Sequence, residues 1–289
     1  MATTTHTPNK VATILRHFDL FEHPFTLSDS PRWQYVTGTI RSSLDRVLMC
    51  ITNRNGLASI IGPYGVGKSM LVRRLQGALI SYGSGEVRLI SNPNLTGLQL
   101  LKLICEVYGL EKVRQRDEQL EVFKRYVIDC FEKDIHPVLV IDEAHELSSG
   151  HGGFGGFSLL KLLNNYAGGE GRAISIVLSG TDKLRDKLRR HEEVLSRIAA
   201  NANLNAFSET EFADMLAFRL DEAQYAGDSA AFFEPEAVSA IHAVAQGIPR
   251  HGVILAGHAM AAAYELKTRV ITVEAAKLAI SSHSILEPA

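Results

Sequence analysis

An α/β fold, a parallel sheet flanked by helices and followed by a small all-α region, is predicted by three features of the sequence. Residues 138–141 and 174–178 are continuous apolar runs rich in β-branched side chains, which suit strands buried on both faces of a parallel sheet. Helical patterns alternate with these runs, as strand–helix–strand crossovers require. After Phe207 the strand signals stop and only helical spacing continues.

The elements follow in order. Residues 57–61 form a short apolar run that ends in a glycine-rich turn, and residues 70–79 then show helical periodicity. Residues 87–90 predict a second strand, with a turn at Asn92-Pro93-Asn94. Helices are predicted over 98–108 and 118–131; the second puts Leu120, Phe123, Val127 and Cys130 on one face. The glycine-rich stretch 151–157 predicts a mobile loop. Ser208-Glu209-Thr210-Glu211 is a capping-box pattern, with Phe212, Leu216, Leu220 and Ala223 at helical steps behind it. Three more helices are expected over 235–246, 250–266 and 273–281, divided by Gly247-Ile248-Pro249 and a turn near Thr268. This pattern predicts an N-terminal extension, 1–40, packing on an α/β core, 41–206, and a helical lid, 207–289.

Composition narrows the functional classes. Hydrophobic residues are 46% and charged residues 21% of the chain, ordinary globular usage that excludes wholesale disorder. Thirty basic against 32 acidic side chains, net −2, exclude a uniformly basic coat. The balance is uneven: residues 1–206 hold 25 basic and 21 acidic groups, net +4, and residues 207–289 hold 5 and 11, net −6. Three cysteines without a Cys-x-x-Cys spacing read as small buried hydrophobes rather than as a disulfide or zinc framework. The histidine pairs 145/151 and 251/258 also miss the four-residue helical step of a zinc site. The Thr-rich N-terminus lacks a signal-peptide core, and the longest weakly polar run, 251–264, is shorter than the roughly 20 residues of a bilayer crossing. A cytoplasmic location without membrane contact is expected.

The chemistry enters with Gly62-Pro63-Tyr64-Gly65-Val66-Gly67-Lys68-Ser69, which satisfies G-x-x-x-x-G-K-[ST]. Glycines let backbone N–H groups curl around a phosphate at the positive end of the next helix. In this pattern Lys68 reaches the β- and γ-phosphates, Ser69 ligates Mg²⁺, and Met70 continues the binding segment into the helix. An apolar strand before the loop and an amphipathic helix after it supply the context the mechanism needs.

Seventy-four residues after Lys68, the run Val138-Leu139-Val140-Ile141 ends in Asp142-Glu143. Asp142 is suited to hold Mg²⁺ through water, and Glu143 to orient and polarise the attacking water. Together the motifs predict a P-loop NTPase. Asp142-Glu143-Ala144-His145 also occurs in a class of helicases, but no further helicase signature accompanies it here.

With these motifs placed, the sequence resembles the AAA+ ATPases, on the branch containing the ExeA secretion ATPase and the transposition regulators TnsC and TniB. Phe18-Asp19-Leu20-Phe21-Glu22-His23-Pro24-Phe25 is similar to the N-terminal F-x-L-x-x-x-P-F segment of ExeA-like proteins. The run 176–184 resembles the strand and turn carrying sensor 1, which implies Thr181, or else Ser179, as the γ-phosphate sensor. Leu195-Ser196-Arg197-Ile198 looks like the arginine-finger segment, implying that Arg197 completes a neighbouring subunit's site in trans. Gly247-Ile248-Pro249-Arg250 is similar to the sensor-2 motif, implying a phosphate contact for Arg250. A cation at a helix start is disfavoured by the macrodipole, which independently suggests a phosphate partner for Arg250. Phe25 and Tyr35 read either as an adenine lining or, better, as core.

The ExeA branch carries a membrane segment and a cell-wall-binding region beyond its ATPase core; residues 1–289 contain neither, which turns the resemblance toward the TnsC type. That resemblance implies ATP and Mg²⁺ as cofactors, and homo-oligomeric rings or filaments on double-stranded DNA. It further implies a transposase and a target-selection protein as partners, with secretion or envelope assembly as the alternative. Expected DNA contacts are Asn94, Thr96 and Lys102, the loop from Ser148 to Phe157 including His151, and the basic stretch Lys183, Arg185, Lys187, Arg189 and Arg190. Few aromatics sit among these, so phosphate contacts and salt sensitivity are expected rather than base stacking. The acidic lid is expected to face away from DNA.

Overall fold

A computed structural model describes residues 10–28, 30–81, 86–91, 93–148, 154–168 and 171–283. In chain order its elements begin with α1 (Lys10–His17), α2 (Gly38–Thr52), β1 (Leu57–Ile61), α3 (Lys68–Ser81) and β2 (Val87–Ile90). Next come α4 (Gly97–Val107), α5 (Arg116–Glu132), β3 (Val138–Ile141), α6 (Gly156–Asn164) and the two-residue strands β4 (Ala167–Gly168) and β5 (Gly171–Arg172). They are followed by β6 (Ser175–Gly180), α7 (Asp182–Arg190), α8 (Glu192–Leu195) and β7 (Ile198–Asn203). Helices α9 (Glu209–Glu222), α10 (Pro235–Ala245), α11 (Pro249–Glu265) and α12 (Val273–Ser282) complete the order. Two compact units emerge: residues 38–63 with 68–204, and residues 1–37 with 64–67 and 205–289.

The first unit is built on a five-stranded sheet of order β2-β3-β6-β1-β7, parallel throughout. Strands β1, β3 and β6 are buried along their whole length, as expected of inner strands covered on both sides. Leu57, Leu139, Ile141, Ile176 and Leu178 pack with Leu100 and Ile104 of α4, Phe123 and Val127 of α5, and Phe157 and Leu160 of α6. Helix α4 starts at a Thr96 capping box with Gln99.

Three features of this unit depart from the sequence expectation. Strand β7 pairs with β1 although its residues, Ile-Ala-Ala-Asn-Ala-Asn, have poor strand propensity. Its exposure alternates, as at a sheet edge, and Ser59 Oγ donates to Asn201 Oδ1 at 2.8 Å across the pair. Helix α2, a stretch to which the sequence reading assigns no element, buries Ile40, Ser43, Val47, Cys50 and Ile51 at helical steps. Gly156 and Phe157, expected in a loop, form the first turn of α6, and Phe157 is a fully buried core residue. Residues 151–153 of that glycine-rich stretch, with His151, lie outside the described residues, as do residues 1–9 and Asn92.

The second unit is helical. Ser208 caps α9 and Glu211 reciprocates, the capping box the sequence announced. The chain before residue 38 groups with these helices, whereas the sequence reading set it against the α/β core. Phe18 packs on Phe232 and Phe25 on Phe233, with ring centroids 5.3 and 5.6 Å apart. Tyr35 lies against Phe207 and Phe218, so both aromatics weighed for an adenine lining pack within the helical unit.

Arg219 of α9 holds the N-terminal segment in place. It is buried, stacks over Trp33, and donates to the carbonyls of Pro24 (2.8 Å), Thr26 (2.6 Å) and Trp33 (3.4 Å). Burial draws its guanidinium down to about 10. Replacing Arg219 by Ala strands three carbonyls and is expected to cost about 3 kcal/mol of stability in denaturant titrations. A loss below about 0.5 kcal/mol contradicts this role.

Candidate functional site

The parallel register gathers the functional positions at one end of the sheet. Ile61, the last residue of β1, pairs with Gly180 at the end of β6, and Ile141 of β3 pairs with Leu178. Residues just past these ends therefore emerge together: Gly62, Asp142 and Thr181. Ligands in open α/β folds bind at this end of the strands.

Asp142 is the hub. It is 8% exposed, and its Oδ2 accepts from Ser69 Oγ at 2.9 Å. Its Oδ1 accepts from Ser179 Oγ at 2.7 Å and from the Glu143 N–H at 3.0 Å. A hydroxyl and a carboxylate held together are the hard oxygen donors that Mg²⁺ takes, so Ser69 and Asp142 fit the ion. Lys68 Nζ donates to the carbonyls of Gly62 (3.0 Å) and Pro63 (2.9 Å) at the base of its own loop. Burial pulls its ammonium below the ordinary value, while Glu143, Asp142 and Asp182 pull it back up.

Ser179 and Thr181 separate by geometry. The Ser179 hydroxyl is committed to Asp142. Thr181 occupies the N-cap of α7, where a threonine ordinarily accepts from the first turn, yet it makes no such bond. It is 5% exposed and its Oγ1 has no hydrogen-bond partner among the described residues. A buried hydroxyl left unsatisfied costs about 1–3 kcal/mol, and a ligand oxygen would remove that cost.

Glu143 adopts a left-handed backbone, φ 51° and ψ 37°, at the start of a 3₁₀ turn over Ala144–Glu146. For a residue with a Cβ this conformation costs about 1–2 kcal/mol and marks functional sites when the surroundings enforce it. Its Oε2 is buried and lies 3.2 Å from His145 Nδ1.

In the helical unit, Tyr64–Gly67 carry the centre of the phosphate loop. Gly65 (φ +77°) and Gly67 (φ +102°) both use backbone that favours glycine. The Gly65 carbonyl accepts from the Arg250 N–H at 3.2 Å, and a Cβ on Gly65 would lie 2.9 Å from Arg250 Cβ. Arg250, second residue of α11, is exposed, and its backbone meets the loop centre at Gly65.

The other anticipated residues are more dispersed. Arg197 sits between α8 and β7, donating to the Glu193 carbonyl and to Asn165 Oδ1 at 3.3 Å. The Thr96 hydroxyl is engaged in its helix cap, Asn94 is exposed and Lys102 half-buried. On α7, Arg185 pairs with Asp182, Arg189 with Asp186, and Lys187 donates to the Leu147 carbonyl. Two contributors escaped the sequence reading: Ser179 as a partner of Asp142, and His145 beside Glu143. The first follows only from the register between β3 and β6.

The fold is that of a P-loop NTPase, a parallel five-stranded sheet flanked by helices. The model of the AAA domain matches residues 51–188. Over 251 residues the chain is 27% identical to general secretion pathway protein A of Aeromonas hydrophila, covering 86% of this chain and 44% of that protein. It thus spans less than half the length of that relative. The ORC2 protein of Aeropyrum pernix, solved as ADPNP–ADP complexes, matches with a TM-score of 0.62 at 18% identity, over 93% of this chain and 74% of that one. The ORC1 protein of the same organism, solved in complex with DNA, gives 0.61 at 18% identity, over 86% and 66%. At such identities the structural likeness establishes the fold. Among the described residues, no helix is long and apolar enough to cross a membrane.

Glu143→Gly removes the carboxylate and the backbone strain together. Its expected thermal midpoint is at or above that of the native chain, since relief of the left-handed conformation is worth about 1 kcal/mol. A midpoint lowered by several degrees shows instead that the residue supports the fold.

Proposed function

We propose that the chain binds ATP with Mg²⁺, hydrolyses it in a homo-oligomer, and assembles as a ring or filament on double-stranded DNA to regulate a transposase. The observation that carries the nucleotide part is the cluster of Ser69, Asp142 and Ser179 beside an unsatisfied Thr181 hydroxyl. In this reading residues 41–206 act as the ATPase core and 207–289 as its lid. Ser69 and Asp142 hold Mg²⁺, which neutralises charge on the phosphates when bound. Gly62, Pro63, Tyr64, Gly65, Val66 and Gly67 wrap the phosphates, Lys68 and Arg250 face their outer oxygens, and Thr181 reads the terminal phosphate. Glu143 accepts a proton from the attacking water. Arg197 leaves its Asn165 contact to reach a neighbouring subunit's nucleotide, where an added cation stabilises the transition state.

The DNA part rests on the net +4 of residues 1–206 and on fold likeness to an ORC1 protein solved in complex with DNA. A transposase and a target-selection protein are the partners this reading requires. A second reading, work in secretion or envelope assembly on protein partners without DNA, is favoured by the relative named general secretion pathway protein A.

Glu143→Gln separates the two. With ATP and duplex DNA this variant is expected to bind nucleotide, release no phosphate, and persist as assemblies on DNA in negative-stain images. Assemblies that form equally without DNA overturn the DNA reading in favour of the secretion one. Unchanged phosphate release overturns the role of Glu143.

A further inference from the structure

We propose that His145 is the positioning residue of Glu143, directing its carboxylate through Nδ1 while Glu146 holds the other ring nitrogen. This rests on the hydrolysis reading above and deepens it. The His145 side chain is 2% exposed, two residues after Glu143 along the 3₁₀ turn. Nδ1 lies 3.2 Å from Glu143 Oε2, and Nε2 lies 3.2 Å from Glu146 Oε1. A ring nitrogen that carries its proton donates, and each ring nitrogen here faces a carboxylate, Nδ1 that of Glu143 and Nε2 that of Glu146. The Nδ1 contact is within ion-pair distance but off the axis of a regular hydrogen bond. It therefore steers the carboxylate without locking it.

The surroundings fix the ring rather than the glutamate. The Glu146 N–H donates to the Glu143 carbonyl at 2.8 Å and closes the turn. Lys187 of α7 donates to the Leu147 carbonyl at 3.0 Å and ties the turn's far end to the helix that Thr181 opens. A Cβ on Gly180 would lie 3.4 Å from the His145 backbone nitrogen and 3.0 Å from the Leu184 side chain, so strand, turn and helix approach closely here. The Glu143 side chain itself is 36% exposed, with Oε2 buried against the ring. One carboxylate oxygen thus lies against a buried ring nitrogen that steers it, and the other is left for water. An orienting partner of this kind serves catalysis by fixing geometry, without touching substrate.

Two conservative variants distinguish orientation from space filling. Asparagine places an amide N–H near the position of Nδ1, and glutamine near that of Nε2. Steady-state phosphate release at saturating ATP and the affinity for a fluorescent ATP analogue are measured for His145→Asn and His145→Gln. His145→Asn is expected within about threefold of native kcat and His145→Gln down by about tenfold or more, with nucleotide affinity unchanged in both. Equal turnover in the two variants overturns the proposal, and so does loss of nucleotide binding in both, the outcome of a packing role. Failure of the underlying reading looks different: the native chain then binds ATP but releases no phosphate.

Discussion

One carboxylate organises the functional end of this protein. Asp142 accepts hydrogen bonds from Ser69 and Ser179, 73 and 37 residues away in sequence, and from the N–H of Glu143. Each donor belongs to a different segment: the helix after the phosphate loop, strand β6, and the turn that carries Glu143. The parallel register brings them together, because β3 and β6 pair up to Ile141 and Leu178. A shift of one residue would turn Ser179 to the opposite face of the sheet and leave a buried carboxylate short of a donor. Sheet register and site geometry are in this sense one constraint.

The arrangement also shows where stability is spent. Glu143 holds a left-handed backbone, and the Thr181 hydroxyl forgoes the cap its position offers. Lys68 is desolvated against its own loop carbonyls. These features are unfavourable in a resting fold, and a phosphate-bearing ligand would relieve two of them. The inner strands compensate with side chains buried along their whole length.

Much of this was legible in the sequence, for local reasons. The phosphate loop requires glycines at fixed spacing, and Gly65 and Gly67 take positive φ. The Ser208–Glu211 box is read within four residues. What escaped depends on partners distant in sequence. Strand β7 has Ala and Asn where a strand would favour branched residues, and it exists because β1 offers it an open edge. The N-terminal segment reads as an addition to the core, yet its carbonyls are bound by Arg219, nearly two hundred residues on. Ser179 reads as one of two sensor candidates, and its bond to Asp142 follows only from the β3–β6 register. His145 looked like one histidine among eleven until its two carboxylate neighbours were in place.

The central claim is that Asp142 joins the phosphate loop to a metal-assisted nucleotide site. It is tested most directly by the Mg²⁺ dependence of ATP affinity in Asp142→Asn, beside the native chain. The account predicts that Mg²⁺ tightens ATP binding to the native chain. It also predicts that the variant loses about tenfold or more of that gain, with metal-free affinity unchanged. A variant whose affinity rises with Mg²⁺ as steeply as the native chain's would contradict it.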